Sequence, residues 1–409
     1  MTRPTFSSSR ARSLVAPLVA AGSRDHEEVY AAALWSAIAE AGDRVAGSLV
    51  AALGAVSALQ LVLAGDDGRE AAGVRERDWH DAVKRWRPRL VQEELDAPFE
   101  IARRNAVGLV APGDPWWPRG LDDLGDNAPA CLWIRGEREA LTRLHPAVAL
   151  VGARAATAYG EHVARELASE LAGRGVAVVS GAAYGIDGAA HRAALDAGGV
   201  TAAFLAGGVE RPYPAGHFEL LERIARSGVV VSEVPCGGAP TKWRFLARNR
   251  LIAAVSDATV VVEAGWRSGA LNTVNHATDL CRAVGAVPGP VTSPASAGCH
   301  RLLRDSDRDV RCITGAGDVL ELLEGDGLFL MPSPDGSGQT PSAGDRRPRT
   351  DDRTRVGDAL SLRNGRTVDE IARRSGMAVD DVTLHLGLMR LDGEAEADAA
   401  GWRRLVPSG

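Results

Sequence analysis

The sequence predicts an α/β protein whose parallel sheet is flanked by a helical amino-terminal region and a small carboxy-terminal unit. Two observations carry this prediction. Short β-branched runs alternate with amphipathic stretches from about residue 147 onward, and residues 331–355 contain almost no apolar side chains. Strands separated by helices form βαβ units and therefore a parallel sheet. A chain of 409 residues, 45% of them hydrophobic, is long enough for several globular domains.

The amino-terminal quarter is predicted to be a disordered tail followed by helices. Residues 1–26 are rich in Ser, Arg and Ala, and we expect no structure there, whereas residues 28–105 follow a helical pattern and form a helical domain. Val45–Gly65 carries no charge and is long enough to span a bilayer. Because glycine, serine and glutamine dilute this run, we favour two short packed helices that turn near Gly54, with a membrane span as the alternative.

A Trp/Pro-rich connector, residues 112–118, leads into the predicted sheet, and its prolines exclude helix. Between the strands lie helices such as Glu161–Ala172, in which apolar residues recur every four positions. We place this core at residues 106–328. Six segments are too short and too β-branched to favour helix and are predicted as strands: Ala147–Val151, Val176–Ser180, Thr201–Leu205, Val229–Ser232, Thr259–Val262 and Ala283–Val287.

The end of the chain is predicted to be a flexible linker followed by a small domain. Residues 329–355 have the composition of a linker, and residues 356–409 recover helical periodicity. Thr367–Met377 and Val379–Met389 follow a helix-turn-helix pattern. The second helix begins with two acids and contains no Arg or Lys. We therefore favour a protein-contact role for it over reading of the DNA major groove.

The net charge excludes a generally basic nucleic-acid coat protein, because 47 basic residues are outnumbered by 53 acidic ones. Only Lys84 and Lys242 are lysines, so arginine supplies the other 45 (47 − 2). Such a ratio, with abundant Ala and Gly, is typical of a GC-rich genome. Arginine abundance is therefore not evidence of function.

The five cysteines show no CxxC spacing and no paired histidines. This pattern predicts reduced, buried thiols in a cytoplasmic protein, without a disulfide framework and without a metal site.

Small and charged residues follow five consecutive predicted strands, where ligands of open parallel sheets bind. Backbone N–H groups at such positions favour phosphate. The loops match neither the GxGxxG nor the GxxxxGK[ST] pattern, so we expect no nucleotide cofactor. The five segments are Gly152-Ala-Arg154, Ser180-Gly-Ala-Ala-Tyr-Gly-Ile-Asp187, Ala206-Gly-Gly208, Glu233 and Glu263-Ala-Gly-Trp-Arg-Ser-Gly269.

A cationic stretch at residues 241–252 predicts contact with nucleic acid. Lys242, Arg244, Arg248 and Arg250 fall within nine residues that contain no acid, and two aromatic residues, at 243 and 245, lie between them. Single-stranded nucleic acid is bound in this way, since cations follow the backbone while bases stack on aromatic rings. A solvated helix face with two anchoring aromatic residues is an equally good interpretation from these residues alone.

Seven motifs, taken in order, resemble those of the DNA-processing protein A (DprA/Smf) family. They span about residues 105–325 and are Val151-Gly-Ala-Arg154, Ser180–His191, Tyr213-Pro214, Ser232-Glu233, Phe245-Leu-Ala-Arg-Asn-Arg250, Glu263 with Ser268-Gly269, and Val287-Pro-Gly289. The resemblance implies an extended Rossmann-like core, a helix-hairpin-helix or SAM-like amino-terminal domain and a winged-helix-like carboxy-terminal domain.

The resemblance also implies a non-enzymatic role. Members of the family bind incoming single-stranded DNA in natural transformation, protect it and help load the recombinase RecA. As partners it implies single-stranded DNA, RecA, single-strand-binding protein and a second copy of the chain, with no membrane and no cofactor.

By the same resemblance, Arg154 and Lys242 contact DNA phosphate and Phe245 lines the base pocket. Arg250 is also expected to brace the fold through a carboxylate such as Glu233 or Glu263. The remaining matched positions are Ser180, Gly181, Gly207 and Gly208 as pocket walls, and Arg248, Asn249, Ser268 and Gly269 within the motifs.

Two other classes of function stay open. Related Rossmann-like folds hydrolyse nucleotide N-glycosidic bonds, and Glu263 with Arg267 could be cast as such a pair, although the Pro-Gly-Gly-x-Gly-Thr-x-x-Glu pattern is missing. Asp187 and His191 lie one helical turn apart, as acid–base partners can, but in this family both look structural. An adaptor that binds only proteins is the third possibility.

Overall fold

The computed structural model describes residues 4–20, 25–329, 351–398 and 400–405, and of residues 325–329 it describes the backbone alone. Its helices are α1 (Ser8–Val15), α2 (His26–Ile38), α3 (Arg44–Leu53), α4 (Ala55–Ala64), α5 (Arg69–Ala72), α6 (Glu76–Trp86), α7 (Gln92–Arg104), α8 (Ala158–Gly173), α9 (Ile186–Asp196), α10 (Phe218–Ser227), α11 (Lys242–Ala254), α12 (Ala270–Asp279), α13 (Ala297–Leu303), α14 (Ala316–Phe329), α15 (Asp352–Ala359), α16 (Val368–Ser375) and α17 (Val379–Leu391).

The strands are β1 (Gly108–Val110), β2 (Leu132–Gly136), β3 (Ala147–Gly152), β4 (Ala177–Ser180), β5 (Thr201–Phe204), β6 (Val229–Ser232), β7 (Ala258–Glu263), β8 (Ala283–Ala286), β9 (Val310–Cys312), β10 (Ala395–Asp398) and β11 (Gly401–Arg404). The first nine form one sheet in the order β1-β2-β6-β5-β4-β3-β7-β8-β9. Strands β3 to β9 pair in parallel, and β1 and β2 extend the sheet with antiparallel pairings. The predicted α/β fold is confirmed.

All six predicted strands exist, and their ends lie within one residue of the prediction. They were predictable because they are buried on both faces of the sheet and therefore read as continuous apolar runs. In β7, Val260 and Val262 pack into the core on one face while Val261 packs into the core on the other. Strands β1, β2 and β9 were not predicted. Two of them have only three residues, and β2 mixes an apolar start with Arg135 and Gly136.

The predicted disorder of residues 1–26 is wrong for the part that the structure describes. Helix α1 buries Ala11 and Val15 completely, and Leu18 accepts a backbone hydrogen bond from Leu109 at 2.8 Å. Ala11 and Val15 lie four positions apart and share one helix face, and Leu18 follows three positions after Val15, just beyond the helix. The average composition of residues 1–26 does not show this spacing, so the helix was not predicted. Residues 1–3 and 21–24 lie outside the described ranges.

The uncharged run Val45–Gly65 forms two helices, α3 and α4, that meet at Gly54, where φ is 79°. The predicted turn is therefore in place. Among the described residues no single helix is long and apolar enough to cross a bilayer, and α3 and α4 pass such a test only together, as a pair bent by 114°. Leu49 and Leu59 are fully buried in the core of the helical region.

The carboxy-terminal unit begins earlier than predicted, because α15 starts at residue 352 and is capped by the Asp351 side chain. Residues 330–350 of the predicted linker lie outside the described residues. The helix-turn-helix pattern corresponds to α16 and α17, with Gly376 ending α16 at a φ of 68°. The antiparallel pair β10–β11 follows. Three helices and a hairpin agree with a winged helix in composition, and that assignment stays a prediction.

All five cysteines are free, as predicted. Burial raises the pKa of Cys131 to about 12, so this thiol stays protonated at neutral pH. The prediction that all five thiols are buried is wrong for Cys281 and Cys312, which are exposed.

Candidate nucleic-acid interface

The topology creates a crevice at the carboxyl ends of β3 and β7. From β3 the chain moves outward through β4 and β5 to β6, and then crosses back to β7 on the other side of β3. In open α/β sheets, ligands bind where the strand order reverses in this way. The backbone N–H of Ala153 donates to the Glu263 carbonyl at 2.7 Å, which fixes the loop after β3 against the end of β7. Arg154 extends from this loop.

Arg154 and Phe245 form the centre of the candidate interface. The Arg154 guanidinium lies 4.7 Å from the centroid of the Phe245 ring, in the range of a cation–π interaction. The Tyr213 ring lies 5.4 Å from the Phe245 ring on a separate segment of the chain. Arg154 is exposed, Tyr213 is 46% exposed and Phe245 is half-buried. The three side chains therefore present a partly open stack of flat groups.

Lys242 is the first residue of α11 and is exposed. The Thr241 side chain caps this helix by accepting a hydrogen bond from the Arg244 amide at 3.3 Å. Within the described part of the chain, the side chains of Lys242 and Arg154 form no ion pair. Both cations remain available to an anion.

The other cations of the 241–252 stretch are not available, which corrects the prediction of a four-cation surface. Arg244 pairs with Glu40 of the helical region at 2.9 Å. Arg250 forms a two-bond ion pair with Glu233, so the predicted brace is confirmed, with Glu233 as its partner. Glu40 lies 204 positions from Arg244, and Glu233 lies 17 positions from Arg250. The cationic stretch is therefore largely neutralised inside the folded chain.

Arg248 lies beneath Phe245, with its guanidinium 5.9 Å from the ring centroid, and is 5% exposed. It donates hydrogen bonds to the carbonyl of Gly181, at 2.9 Å, and to that of Phe204. Burial lowers the pKa of Arg248 to about 10, although Asp187 acts in the opposite direction. Arg248 thus stays charged at neutral pH and supports the interface from below. We revise Arg248 and Arg250 from DNA contacts to supporting residues.

The predicted pocket walls are also internal. The Ser180 hydroxyl is completely buried and donates to the Leu150 carbonyl at 2.7 Å, so it is not free for a phosphate. A Cβ at Gly181 would overlap the Arg248 guanidinium, which explains the glycine. Gly207 packs against Pro240, and the Gly208 amide donates to Gly238. These residues shape the loops around the interface without exposing polar groups to it.

Asn249 connects α11 to the loop after β7. Its side-chain amide donates to the Gly269 carbonyl, at 3.4 Å, and to the Asn272 side chain, at 3.2 Å. The Ser268 hydroxyl accepts from the Ala270 amide, at the start of α12, at 3.3 Å. Three of the predicted positions, Asn249, Ser268 and Gly269, therefore meet at the crevice, where they hold the loop in place.

The acids that could serve catalysis are engaged in structural contacts. Glu263 is buried and accepts hydrogen bonds from the Thr157 amide, at 2.8 Å, and hydroxyl, at 2.7 Å. Asp187 accepts from the amides of Gly181 and Ala183. The Nδ1 atom of His191 bonds the Thr201 hydroxyl at 2.7 Å, and the described residues show no hydrogen bond between His191 and Asp187. This geometry argues against the glycosidase alternative.

Two residues that contribute to the candidate interface were not predicted from the sequence. Tyr213 belongs to the Tyr213-Pro214 motif, yet its contact with Phe245 depends on how the loop after β5 folds back towards α11. Glu40 lies 204 positions from Arg244 and carries no local signal. No group of three or more His, Cys, Asp or Glu side chains that could hold a metal ion occurs in the described ranges.

The geometry can be compared with known proteins. The sequence profile of the family described as DNA recombination-mediator protein A matches residues 108–324. A Mycobacterium tuberculosis protein assigned as DNA processing protein DprA is 43% identical over 383 residues, 90% of this chain and 92% of that protein. Escherichia coli Protein Smf is 36% identical over 69% of this chain and 71% of its own length.

Among solved structures, that of DNA processing protein A from Streptococcus pneumoniae aligns with a TM-score of 0.52 at 32% identity. The alignment covers 62% of this chain and 84% of that protein.

Proposed function

Because the chain belongs to the DNA recombination-mediator protein A family, we propose that it binds single-stranded DNA at the β3–β7 crevice. There it protects the strand and helps load RecA in natural transformation and recombination. Its relatives are named as DNA processing proteins, and DNA processing is the general role of this chain. Single-stranded DNA as the substrate and the transfer of that DNA to RecA are our proposal.

The observation that carries the proposal is the stack of Arg154 and Phe245 beside Tyr213. An unpaired base stacks on aromatic rings and on guanidinium planes, whereas the bases of a duplex are already stacked on each other. Arg154 and Lys242 are both exposed and free of ion pairs within the described ranges, so each can neutralise a phosphate of the same strand. The combination favours single strands over duplex.

Supporting residues hold this arrangement in place. Arg248 ties α11 to the ends of β4 and β5 through two backbone carbonyls. Arg250 ties α11 to Glu233, just beyond the end of β6. A binding surface built on a braced helix loses little conformational entropy when the strand arrives. These two arginines therefore contribute to DNA affinity by holding α11 in position.

Fluorescence anisotropy with a labelled oligonucleotide tests the proposal. Single strands should bind more tightly than the matching duplex, and Arg154→Ala and Lys242→Ala should each weaken binding about tenfold at moderate salt. Lys84→Ala is the matched control, because Lys84 is the second lysine and is exposed on α6, in the helical region. Equal affinity for duplex, or equal losses in all three variants, would contradict the proposed site.

The transfer of the strand to RecA is tested by a separate measurement. We expect the protein to accelerate RecA assembly on strands already coated with single-strand-binding protein, followed as RecA-dependent ATP hydrolysis. Light scattering coupled to size exclusion tests the proposed homodimer. An unchanged lag in RecA assembly would remove RecA loading from the proposal while leaving DNA binding in place. The cytoplasm is the compartment in which we expect both events.

A further inference from the structure

The carboxy-terminal unit, residues 351–405, lies against the amino-terminal turn of α11. The Asp358 carboxylate accepts a hydrogen bond from the backbone N–H of Lys242 at 3.1 Å. One turn earlier on α15, the Arg355 guanidinium lies 5.1 Å from the centroid of the Trp243 ring. Both contacts fall on the first two residues of the helix that carries the proposed DNA interface.

Further contacts hold the unit in this position. Arg89 of the helical region donates to the Arg373 carbonyl at 2.8 Å and also pairs with Glu40. Gly376, at the end of α16, approaches Glu40 so closely that a Cβ would overlap the Glu40 side chain. The carboxy-terminal unit is therefore seated on a surface formed jointly by the helical region and α11.

The two contacts on α11 reproduce the chemistry of a bound single strand. The amino terminus of a helix favours an anion, and the carboxylate of Asp358 occupies the position that suits a phosphate. A flat cation over an indole ring takes the place where a base would stack, and Arg355 covers Trp243 in this way. The Lys242 side chain stays exposed at the edge of the contact.

We propose that the carboxy-terminal unit is an intramolecular competitor of DNA, with Asp358 and Arg355 occupying the start of α11 until a single strand displaces them. This inference rests on the proposed function. It adds that the strand, beyond Phe245 and Lys242, also reaches Trp243. Because a carboxylate beside Lys242 also repels phosphate, the closed arrangement weakens DNA binding without blocking Arg154.

Removal of the Asp358 carboxylate tests the competition. In the full chain, Asp358→Ala should raise affinity for oligo-deoxythymidine about fivefold, because a like charge next to a phosphate contact is removed. Asp381→Ala is the matched control. It removes the same charge from an exposed position on α17 and should leave the affinity unchanged. Lys242→Ala added to Asp358→Ala should lower affinity again, since Asp358 bonds the backbone of Lys242 and not its side chain.

Hydrogen exchange on the full chain gives a readout that is independent of affinity. When oligo-deoxythymidine binds, peptides from 352–360 and 373–377 should exchange faster, while those from 241–246 stay protected. Unchanged or slower exchange in 352–360 with the strand bound would overturn the competition, as would equal affinities of Asp358→Ala and Asp381→Ala. If neither the unmodified chain nor Asp358→Ala binds the oligonucleotide, the proposed function itself fails.

Discussion

The Arg154 guanidinium lies 4.7 Å from the Phe245 ring centroid, although 91 positions (245 − 154) separate the two residues in the chain. The loop after β3 and the start of α11 meet there because the chain crosses the sheet between β6 and β7. Neither side chain forms this surface alone. The contact brings a free cation and an aromatic ring together at the crevice.

Loss of the aromatic ring should weaken binding of single strands. Phe245→Leu keeps an apolar side chain in the half-buried site but removes the stacking face, so we expect about a tenfold loss in affinity, within the roughly 1–3 kcal/mol that stacking contributes per base. Phe245→Tyr keeps the face and should bind nearly as well as the unmodified protein. Titration by fluorescence anisotropy measures both. A Phe245→Leu protein with unchanged affinity would show that no base stacks here.

The salt dependence of the DNA affinity should report the number of phosphate contacts. For single strands the slope of log affinity against log salt changes by about 0.7 for each contact. Lys242→Ala should therefore reduce the slope by about that amount, and Arg154→Ala by a similar amount. Lys84→Ala should leave it unaltered, since Lys84 lies on α6. Titrations at four or more salt concentrations give these slopes, and a full slope in Lys242→Ala would remove Lys242 from the interface.

Breaking the buried ion pair beneath α11 should destabilise the protein. Glu233→Gln leaves Arg250 charged and buried without its carboxylate, at a cost of about 3–5 kcal/mol in the free energy of unfolding. Urea unfolding followed by circular dichroism measures this loss. Arg223→Ala is the control. It removes the exposed ion pair with Asp196 and should cost at most about 1 kcal/mol. Equal effects of the two changes would contradict the bracing role.

Gly181 should not tolerate a side chain. A Cβ there would overlap the Arg248 guanidinium, so Gly181→Ala must displace Arg248 from the Gly181 and Phe204 carbonyls. We expect a loss of about 1–3 kcal/mol in stability, together with weaker DNA binding at unchanged charge. Gly173→Ala, in α8, meets no neighbouring atom within 4 Å and should be neutral or stabilising. Thermal unfolding and anisotropy on the same samples check both effects.

Acid should weaken the fold through His191. Burial lowers the pKa of His191 to about 3, against about 6.5 in an unfolded chain. Between these values the unfolded state binds the extra proton, so stability is complete above about pH 6.5 and falls as the pH decreases towards 3. This residue alone should remove about 2 kcal/mol between pH 7 and pH 5. Urea unfolding at both pH values should show a smaller difference in His191→Gln, and an identical difference would contradict the assignment.

The sheet and the motif order could be predicted because both depend on local pattern. Strand β7 is buried on both faces and reads as an unbroken apolar run, and the cap at Thr241 precedes α11 directly. The state of Arg244 could not be predicted in the same way, whereas the brace at Arg250 was expected from the family resemblance. Arg244 occurs in a stretch without acids, but folding supplies Glu40, 204 positions away, as its partner. Local sequence contains no record of such a pair.

The sequence therefore predicts more exposed site residues than the structure has. Ser180 was expected as a pocket wall because it follows a strand, yet its hydroxyl is used by the neighbouring strand through the Leu150 carbonyl. Of the expected contacts, Arg154, Lys242 and Gly269 are exposed and Phe245, Asn249 and Ser268 are half-buried, whereas the other six are buried. A strand end predicts where a site lies, but the hydrogen bonds of the sheet decide which side chains are left for a ligand.

The ion pairs of Glu40 affect how truncated versions of this chain would behave. Burial alone would raise the pKa of Glu40, but the charges of Arg244 and Arg89 outweigh burial and hold it well below its usual range. A truncated protein without the helical region would leave Arg244 charged, without the carboxylate to which it is hydrogen-bonded. Deletions meant to locate the DNA-binding segment would therefore also loosen α11, and a loss of binding after truncation would not identify the removed segment as the one that contacts DNA.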